Sequence, residues 1–283
     1  MIYKTVDLYE YFGQSRPEGG AGWLKCMCLD PIDQVNPNRR YPAMLVIAGG
    51  AYRWVSEREQ EPVAFGYLSR GYSAFSLVYS CTPHSYPAAL REAVMAMIYI
   101  RKNAAELHID PGMVCAMGFS AGGHVLGTLA NLYNDGRCAD LIEASGISPR
   151  PDAVVYCYPV ITTGDKAHRE SAANISGGDG ELAEYLAIER HITPDAPPAF
   201  IWHTQEDTSV PVKNSLLLAS AYEEVGVPFA LHIFEKGIHG MSTADSQVYR
   251  SDAVPVCSTS MPAWLDMSTK WLRDRGITIT DRD

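Results

Sequence analysis

Short apolar runs alternate with amphipathic stretches along most of the chain. The runs that predict buried strands lie at 43–48, 73–79, 114–119, 153–158, 199–203 and 229–234. The stretches that predict helices lie at 62–69, 88–103, 121–133, 212–225 and 262–275. This alternation is typical of the α/β class, with a mostly parallel central sheet and helices on both of its faces. In such a sheet, reactive groups gather at the carboxyl ends of the strands.

The segment 161–196 interrupts this alternation. It carries a Gly-rich stretch at 176–180 and a helical pattern at 181–190. We predict a small insertion over the sheet edge here, a candidate lid. Since no repeat, low-complexity stretch or linker divides the chain, we expect a single domain over 1–283.

A candidate nucleophile stands between a predicted strand and a predicted helix. Gly118, Ser120 and Gly122 form the Gly-x-Ser-x-Gly pattern of a nucleophile elbow, in which a sharp turn exposes the serine hydroxyl at the sheet edge. The two glycines let strand and helix approach closely. The strand-turn-helix setting favours a nucleophilic Ser120 over a solvent-exposed serine in an ordinary tight turn.

A second Gly-rich turn follows the strand at 43–48. Backbone N–H groups there could bind a developing oxyanion, together with the N–H that follows the elbow serine. A plain strand-ending turn is the alternative, and a phosphate-binding loop is disfavoured because no Gly-Lys-Ser/Thr follows. The predicted oxyanion hole comprises Gly49, Gly50, Ala51 and Ala121.

The remaining members of a catalytic triad should follow the elbow in the order acid, then histidine. Asp207 comes just after a predicted strand, with Glu206 as an alternative acid and helix capping as a non-catalytic role for Asp207. His239 follows the strand at 229–234 between two glycines that free its loop. Each of the other seven histidines lacks the order or the loop setting, and His124 on the elbow helix suits packing beneath the site. The predicted triad is Ser120, Asp207 and His239.

Aromatic side chains near the predicted strand ends suggest a platform for a sugar ring, and core or rim packing is an equal alternative. The candidates are Tyr52, Trp54, Tyr79 and Tyr158.

Charge and cysteine content narrow the classes of partner. The net charge is −10, and the sequence contains no run of Lys and Arg residues that could bind nucleic acid or an anionic membrane. Neither is therefore an expected partner. The chain has seven cysteines, several of them inside apolar runs, and its N-terminus is unlike a signal peptide. These two features predict reduced thiols in a cytoplasmic protein. Cys26 and Cys28 alternate across a predicted strand, and no paired Cys-x-x-Cys, His-Glu-x-x-His or dinucleotide fingerprint occurs. We therefore expect no metal and no cofactor.

In the elbow, the Gly-rich turn and the candidate triad, the chain resembles the acetyl esterase and acetylxylan-esterase-like branch of the α/β-hydrolases, close to small bacterial carbohydrate esterases. The likeness runs from about 41 to 272 and is carried by the segments 49–53, 56–59, 86–90, 109–111, 118–124, 158–161, 202–204, 210–212, 214–215 and 239–240. Carried over position by position, the family's nucleophile, acid and base fall on Ser120, Asp207 and His239. Such relatives usually begin the oxyanion loop with His or Pro and use three glycines, whereas Ala48 and Ala51 stand here. An alanine keeps its backbone donor usable if its φ is negative.

The resemblance implies a serine carboxylic-ester hydrolase that removes acetyl groups from acetylated sugars or oligosaccharides through an acyl-enzyme. A broader carboxylesterase or a feruloyl-type esterase is the alternative. A small peptidase would need an extra domain or a charged clamp, and a non-catalytic binding protein would usually have lost a triad member. The oligomeric state stays open.

Overall fold

A computed structural model describes residues 1–281 and has an open, eight-stranded sheet at its centre. The strands are β1 Ile2–Asp7, β2 Trp23–Cys28, β3 Tyr41–Ile47, β4 Ser73–Val78, β5 Ile109–Phe119, β6 Val154–Cys157, β7 Ala199–Thr204 and β8 Phe229–Phe234. They lie in the order β1-β2-β4-β3-β5-β6-β7-β8. β2 pairs antiparallel with β1 and β4, and every later pairing is parallel. The predicted α/β class is confirmed.

Helices connect these strands and cover the sheet. They are α1 Leu8–Phe12, α2 Glu61–Leu68, α3 Ala88–Lys102, α4 Ala121–Asn131, α5 Ala139–Ser145, α6 Arg169–Ser176, α7 Gly180–Tyr185, α8 Lys213–Val225 and α9 Trp264–Arg273. Three 3₁₀ turns lie at Glu57–Glu59, Ile188–Arg190 and Met261–Ala263. Within residues 1–281, none of the helices combines the length and apolar character needed to cross a bilayer.

Successive residues of the central strands point to two separate buried layers. In β3, Leu45 and Ile47 belong to the larger apolar layer, which includes residues of α3, α4 and α8. Met44 and Val46 belong to the smaller layer, with residues of α2 and α9. Because both faces are covered, the parallel strands β3, β6 and β7 are buried at every position rather than at alternate ones.

The sequence pattern misses short elements and misjudges some boundaries. β1, α1, α5 and α6 were not predicted, because a half-exposed edge strand and helices of five to eight residues carry too little periodicity. The helix expected over 181–190 is broken at Leu186. There the Leu186 carbonyl accepts a hydrogen bond from His124 Nε2, and the Ile188 N–H donates to the Ile161 carbonyl instead of continuing the helix.

The elbow is a point of very close backbone packing. A Cβ on Gly118 would overlap the Gly122 carbonyl group, and a Cβ on Gly122 would overlap the carbonyl groups of Ile47 and Ala48. The N-terminus of α4 therefore lies directly against the carboxyl ends of β3 and β5, with no side chain between them.

Gly122→Ala is expected to cost at least about 3 kcal/mol of unfolding free energy or to prevent folding, because the new methyl group has no space. Chemical denaturation measures the change. Gly180→Ala is the matched control, since a Cβ at position 180 would meet nothing within 4 Å. It should leave stability within about 1 kcal/mol of wild type, and equal stability of both variants would contradict the packing argument.

Candidate active site

Ser120 lies in the turn between β5 and α4 and has a backbone conformation that residues other than glycine rarely adopt. Its φ of 50° and ψ of −121° put it outside both the helical and the extended regions. Its N–H donates to the Cys157 carbonyl at 3.1 Å, and its own carbonyl accepts from the Val160 N–H at 2.9 Å. These two bonds to β6 and the loop after it hold the strained turn in place.

His239 reaches Ser120 from the loop after β8. Its Nε2 lies 2.8 Å from Ser120 Oγ, and its Nδ1 lies 2.6 Å from Asp207 Oδ2. The flanking residues Gly237 and Gly240 have φ values of 144° and 76°, which only glycine adopts without strain. The structure thus brings the three predicted triad residues into one hydrogen-bonded chain.

Asp207 follows β7 and is almost fully buried. Its Oδ1 accepts the N–H groups of Ser209 and Val210, both at 2.9 Å. Burial alone would raise the pKa of Asp207, but hydrogen bonding to His203 and His239 and the charge of His239 hold the pKa of this carboxyl well below its usual value. The alternative acid, Glu206, instead lies 3.4 Å from the Gly237 N–H.

An ionised Asp207 decides which nitrogen of His239 carries the proton. A carboxylate can only accept hydrogen bonds, so Nδ1 of the neutral ring must be the donor. Nε2 is then free to accept a hydrogen bond from the Ser120 hydroxyl, 2.8 Å away. This arrangement can remove a proton from Ser120.

The predicted oxyanion residues differ in how their N–H groups are used. The Gly49 N–H donates to Glu59 Oε2 at 2.7 Å and is therefore occupied. Within residues 1–281, the N–H groups of Gly50, Ala51 and Ala121 make no hydrogen bond to a protein acceptor. Ala51 has a φ of 56°, so the condition of a negative φ is not met, yet Ala51 lines the cleft and its N–H has no acceptor among the described residues. A side-chain amide fixes this strained residue, because Asn174 Nδ2 donates to the Ala51 carbonyl at 2.8 Å.

The aromatic candidates lie mainly in the core. Tyr52, Tyr79 and Tyr158 are each 1% exposed, so in this structure they offer no open face to a sugar. Each hydroxyl has an interior partner: His124 Nδ1 for Tyr52, the Ala48 carbonyl for Tyr79 and the Glu59 carboxylate for Tyr158. Burial of these phenols is possible because each finds such a partner. Only Trp54, half exposed at the cleft, fits the expected platform.

His124 lies beneath the oxyanion loop as a buried, neutral side chain. Its Nε2 donates to the Leu186 carbonyl at 2.8 Å, so Nδ1 is the acceptor for the Tyr52 hydroxyl, also at 2.8 Å. Burial lowers the pKa of His124 to about 4, although the Leu186 carbonyl partly opposes the shift. The packing role expected for this histidine fits these contacts.

Ser120 and His239 open onto a cleft of about 210 Å³. Its walls include Trp54, Arg58 and Glu59, and also His168 and Glu170 from the insertion. Sequence reasoning missed three polar residues around the site: Glu59, His168 and His203. No local signal marks these contacts, since a spacing of four residues brings side chains together on a helix, whereas His203 lies in β7 and Asp207 in the loop after it.

The BD-FAE family model matches residues 30–222. The chain belongs to the BD-FAE family. The resemblance to esterases of the α/β-hydrolase fold is confirmed by this match and by the structural neighbours of the chain.

Two curated relatives of this BD-FAE chain are much longer than the part of them that it matches. Endo-1,4-beta-xylanase B of Butyrivibrio fibrisolvens is 40% identical over 223 residues, which cover 76% of the chain and 34% of that protein. The acetylxylan esterase of Xylanibacter ruminicola is 27% identical over 216 residues, covering 72% of the chain and 42% of the relative. The chain therefore matches less than half the length of either relative.

Solved structures match the BD-FAE chain over nearly its whole length. One of them is the acetyl ester-xyloside bifunctional hydrolase from Caldicellulosiruptor lactoaceticus, with 32% identity and a TM-score of 0.81. The alignment covers 97% of each chain.

Because the pKa of His124 is lowered in the folded state, we expect the free energy of unfolding of this BD-FAE protein to fall on acidification. The folded state keeps His124 neutral down to about pH 4, whereas an unfolded histidine binds a proton below about pH 6.5. Because the unfolded state binds more protons between these values, the free energy of unfolding falls as the pH falls, by about 3 kcal/mol from this residue.

Urea denaturation of wild type and His124→Gln at pH 7.0, 5.5 and 4.5 tests this dependence. The variant should be less stable at pH 7 but should lose less stability on acidification than wild type. Parallel loss of stability in the two proteins would show that His124 does not titrate in this way.

Proposed function

We propose that this chain hydrolyses carboxylic esters, with Ser120 as the nucleophile, His239 as the general base and Asp207 as the residue that orients His239. The observation that carries the proposal is the continuous chain of hydrogen bonds from Asp207 through His239 to Ser120 Oγ at the mouth of a cleft. The esterase relatives of the BD-FAE family support the same reaction class.

In the first step, Ser120 Oγ attacks the ester carbonyl carbon while His239 Nε2 takes the hydroxyl proton. The tetrahedral intermediate collapses, the alcohol leaves with the proton from His239, and an acyl-enzyme remains. Water then attacks the acyl carbon with His239 again acting as base, which releases the acid and regenerates Ser120. Asp207 holds the tautomer of His239 and stabilises its imidazolium form.

The N–H groups of Gly50, Ala51 and Ala121 are the proposed donors to the oxyanion. They have no protein acceptor in the described part of the chain, and they border the cleft or follow Ser120. Gly49 is left out of this role because its N–H already binds Glu59. Its contribution is instead steric, since a Cβ at position 49 would lie 2.7 Å from Ser120 Cβ.

We propose that the natural substrate is an acetylated sugar or oligosaccharide. A cleft of about 210 Å³ suits a short acyl group, and Trp54 presents an exposed ring at its edge. The Xylanibacter ruminicola and Caldicellulosiruptor lactoaceticus relatives are an acetylxylan esterase and an acetyl ester-xyloside hydrolase. A broader carboxylesterase or feruloyl-type activity is the alternative.

We propose that the segment 161–196 covers one side of this cleft within a single domain over 1–283. Support comes from His168 and Glu170, which line the cleft, and from the Asn174 side chain, which binds the Ala51 carbonyl. A cytoplasmic location also remains a proposal, supported by the seven free thiols.

Ser120→Ala is expected to lower kcat/KM for p-nitrophenyl acetate by about 10⁴-fold or more, because the nucleophile is lost while the fold is kept. A fluorophosphonate probe should label wild type but not the variant. Ser220→Ala, on an exposed position of α8, is the control and should hydrolyse and label like wild type. Near-normal turnover by Ser120→Ala would remove Ser120 from the mechanism.

The acyl group is tested by comparing p-nitrophenyl acetate, butyrate and octanoate with acetate release from acetylated xylo-oligosaccharides. The small cleft predicts kcat/KM for acetate at least about 10-fold above that for octanoate, together with Ser120-dependent release of acetate from the sugar. A preference for octanoate or a feruloyl ester would keep the mechanism and overturn the acetyl-sugar assignment.

A further inference from the structure

Glu59 is a buried carboxylate at the back of the cleft that the proposed reaction leaves without a role. It is only 4% exposed. Its Oε2 accepts the Gly49 N–H at 2.7 Å, and its Oε1 accepts the Tyr158 hydroxyl at 2.6 Å. Within residues 1–281 it forms no ion pair with Lys, Arg or His. Burying a carboxylate without a cation is costly, so these two hydrogen bonds must offset much of that cost.

The contacts of Glu59 join the oxyanion loop to the loop that carries His239. The Tyr158 hydroxyl donates to Glu59 and accepts the Ser242 N–H at 3.0 Å. Ser242 follows His239 by three residues. A second hydrogen bond joins the same two segments: Ser242 Oγ donates to the carbonyl of Arg58, the neighbour of Glu59, at 2.6 Å. The rings of Tyr158 and His239 also pack in a T-shaped arrangement, with ring centroids 5.2 Å apart and an interplanar angle of 73°.

The loops that Glu59 connects contain several residues in strained backbone conformations. Five of the seven non-glycine residues with positive φ in the described chain lie around this site: Ala51, Tyr52, Ser120, Tyr158 and Ser242. Such conformations persist only where surrounding contacts hold them. Glu59 binds Gly49, two residues before the strained pair Ala51 and Tyr52, and it reaches Ser242 through Tyr158.

We infer that Glu59 is a positioning residue: its carboxylate fixes the oxyanion loop through Gly49 and the His239 loop through Tyr158, so that donors, nucleophile and base keep their relative positions. The inference rests on the proposed ester hydrolysis. Glu59 does not contact the reacting atoms in this role, because both of its oxygens are used by Gly49 and Tyr158.

A glutamine cannot reproduce both contacts. The amide has one acceptor oxygen, so if it keeps the Gly49 N–H, its NH₂ group faces the Tyr158 oxygen. That oxygen already accepts the Ser242 N–H, and the phenol proton would lose its acceptor. Glu59→Gln therefore preserves volume while weakening the link to the His239 loop, and Tyr158→Phe removes that link without changing the Gly49 contact.

The experiment compares Glu59→Gln and Tyr158→Phe with wild type by kcat and KM for p-nitrophenyl acetate, the rate of labelling by a fluorophosphonate, and thermal unfolding. Labelling is informative because the oxygen on phosphorus also develops negative charge in the oxyanion hole. All assays are run well below each melting temperature.

Glu92→Gln is the matched control. Glu92 is fully buried on α3 and accepts hydrogen bonds from the Tyr9 hydroxyl and the Ser80 N–H, and it does not line the cleft. This variant should melt at a lower temperature and keep wild-type kcat and labelling. Glu59→Gln should lower kcat about 10- to 100-fold with KM changed less than about 3-fold, and labelling should slow in parallel.

The inference is overturned if Glu59→Gln behaves like Glu92→Gln, with lower stability but wild-type kcat and labelling rate. If Glu59→Gln does not fold, Tyr158→Phe decides, and wild-type rates in that variant overturn the link to His239. Failure of the proposed function is a different result, since wild type itself would then neither hydrolyse esters nor react at Ser120.

Discussion

The close approach of α4 to the ends of β3 and β5 is the constraint on which the site depends. With no Cβ at positions 118 and 122, the helix begins directly against the carbonyl groups of Ile47 and Ala48. The chain between strand and helix must then turn within one residue, which places Ser120 at a φ of 50°. Backbone geometry thus presents the Ser120 side chain to the cleft, and its position does not depend on a side-chain rotamer alone.

Two buried carboxylates serve this turn in different ways. Asp207 is surrounded by N–H groups and by the rings of His203 and His239, so the negative form is favoured and the tautomer of His239 is set. Glu59 binds one backbone N–H and one phenol, and its partners belong to two separate loops. In the proposed mechanism, Asp207 orients the ring of His239, and Glu59 holds together the two loops around it.

The central sheet could be predicted from the sequence, and so could the three residues that the structure brings together as the candidate triad, because both leave local marks. Apolar runs mark the covered strands, and glycines next to Ser120 and His239 mark the turns that carry them. The conformation of Ala51 and the burial of Tyr52, Tyr79 and Tyr158 leave no such marks. An aromatic residue at a strand end faces the cleft or the core according to distant partners, such as His124 for Tyr52. The contact between Glu59 and Tyr158 leaves no local mark for the same reason, because the two residues are far apart in the sequence.

The insertion has a consequence for how a substrate reaches Ser120. Its helix α6 supplies Asn174, whose side chain donates a hydrogen bond to the Ala51 carbonyl, and the Leu186 carbonyl after α7 accepts a hydrogen bond from His124 Nε2. A swing of this segment away from the cleft would break bonds to the loop that carries two of the proposed oxyanion donors and to the histidine beneath that loop. Opening on this side would therefore break the hydrogen bonds that hold the proposed oxyanion loop, whereas Trp54, Ser120 and His239 already line one cleft with the segment in place.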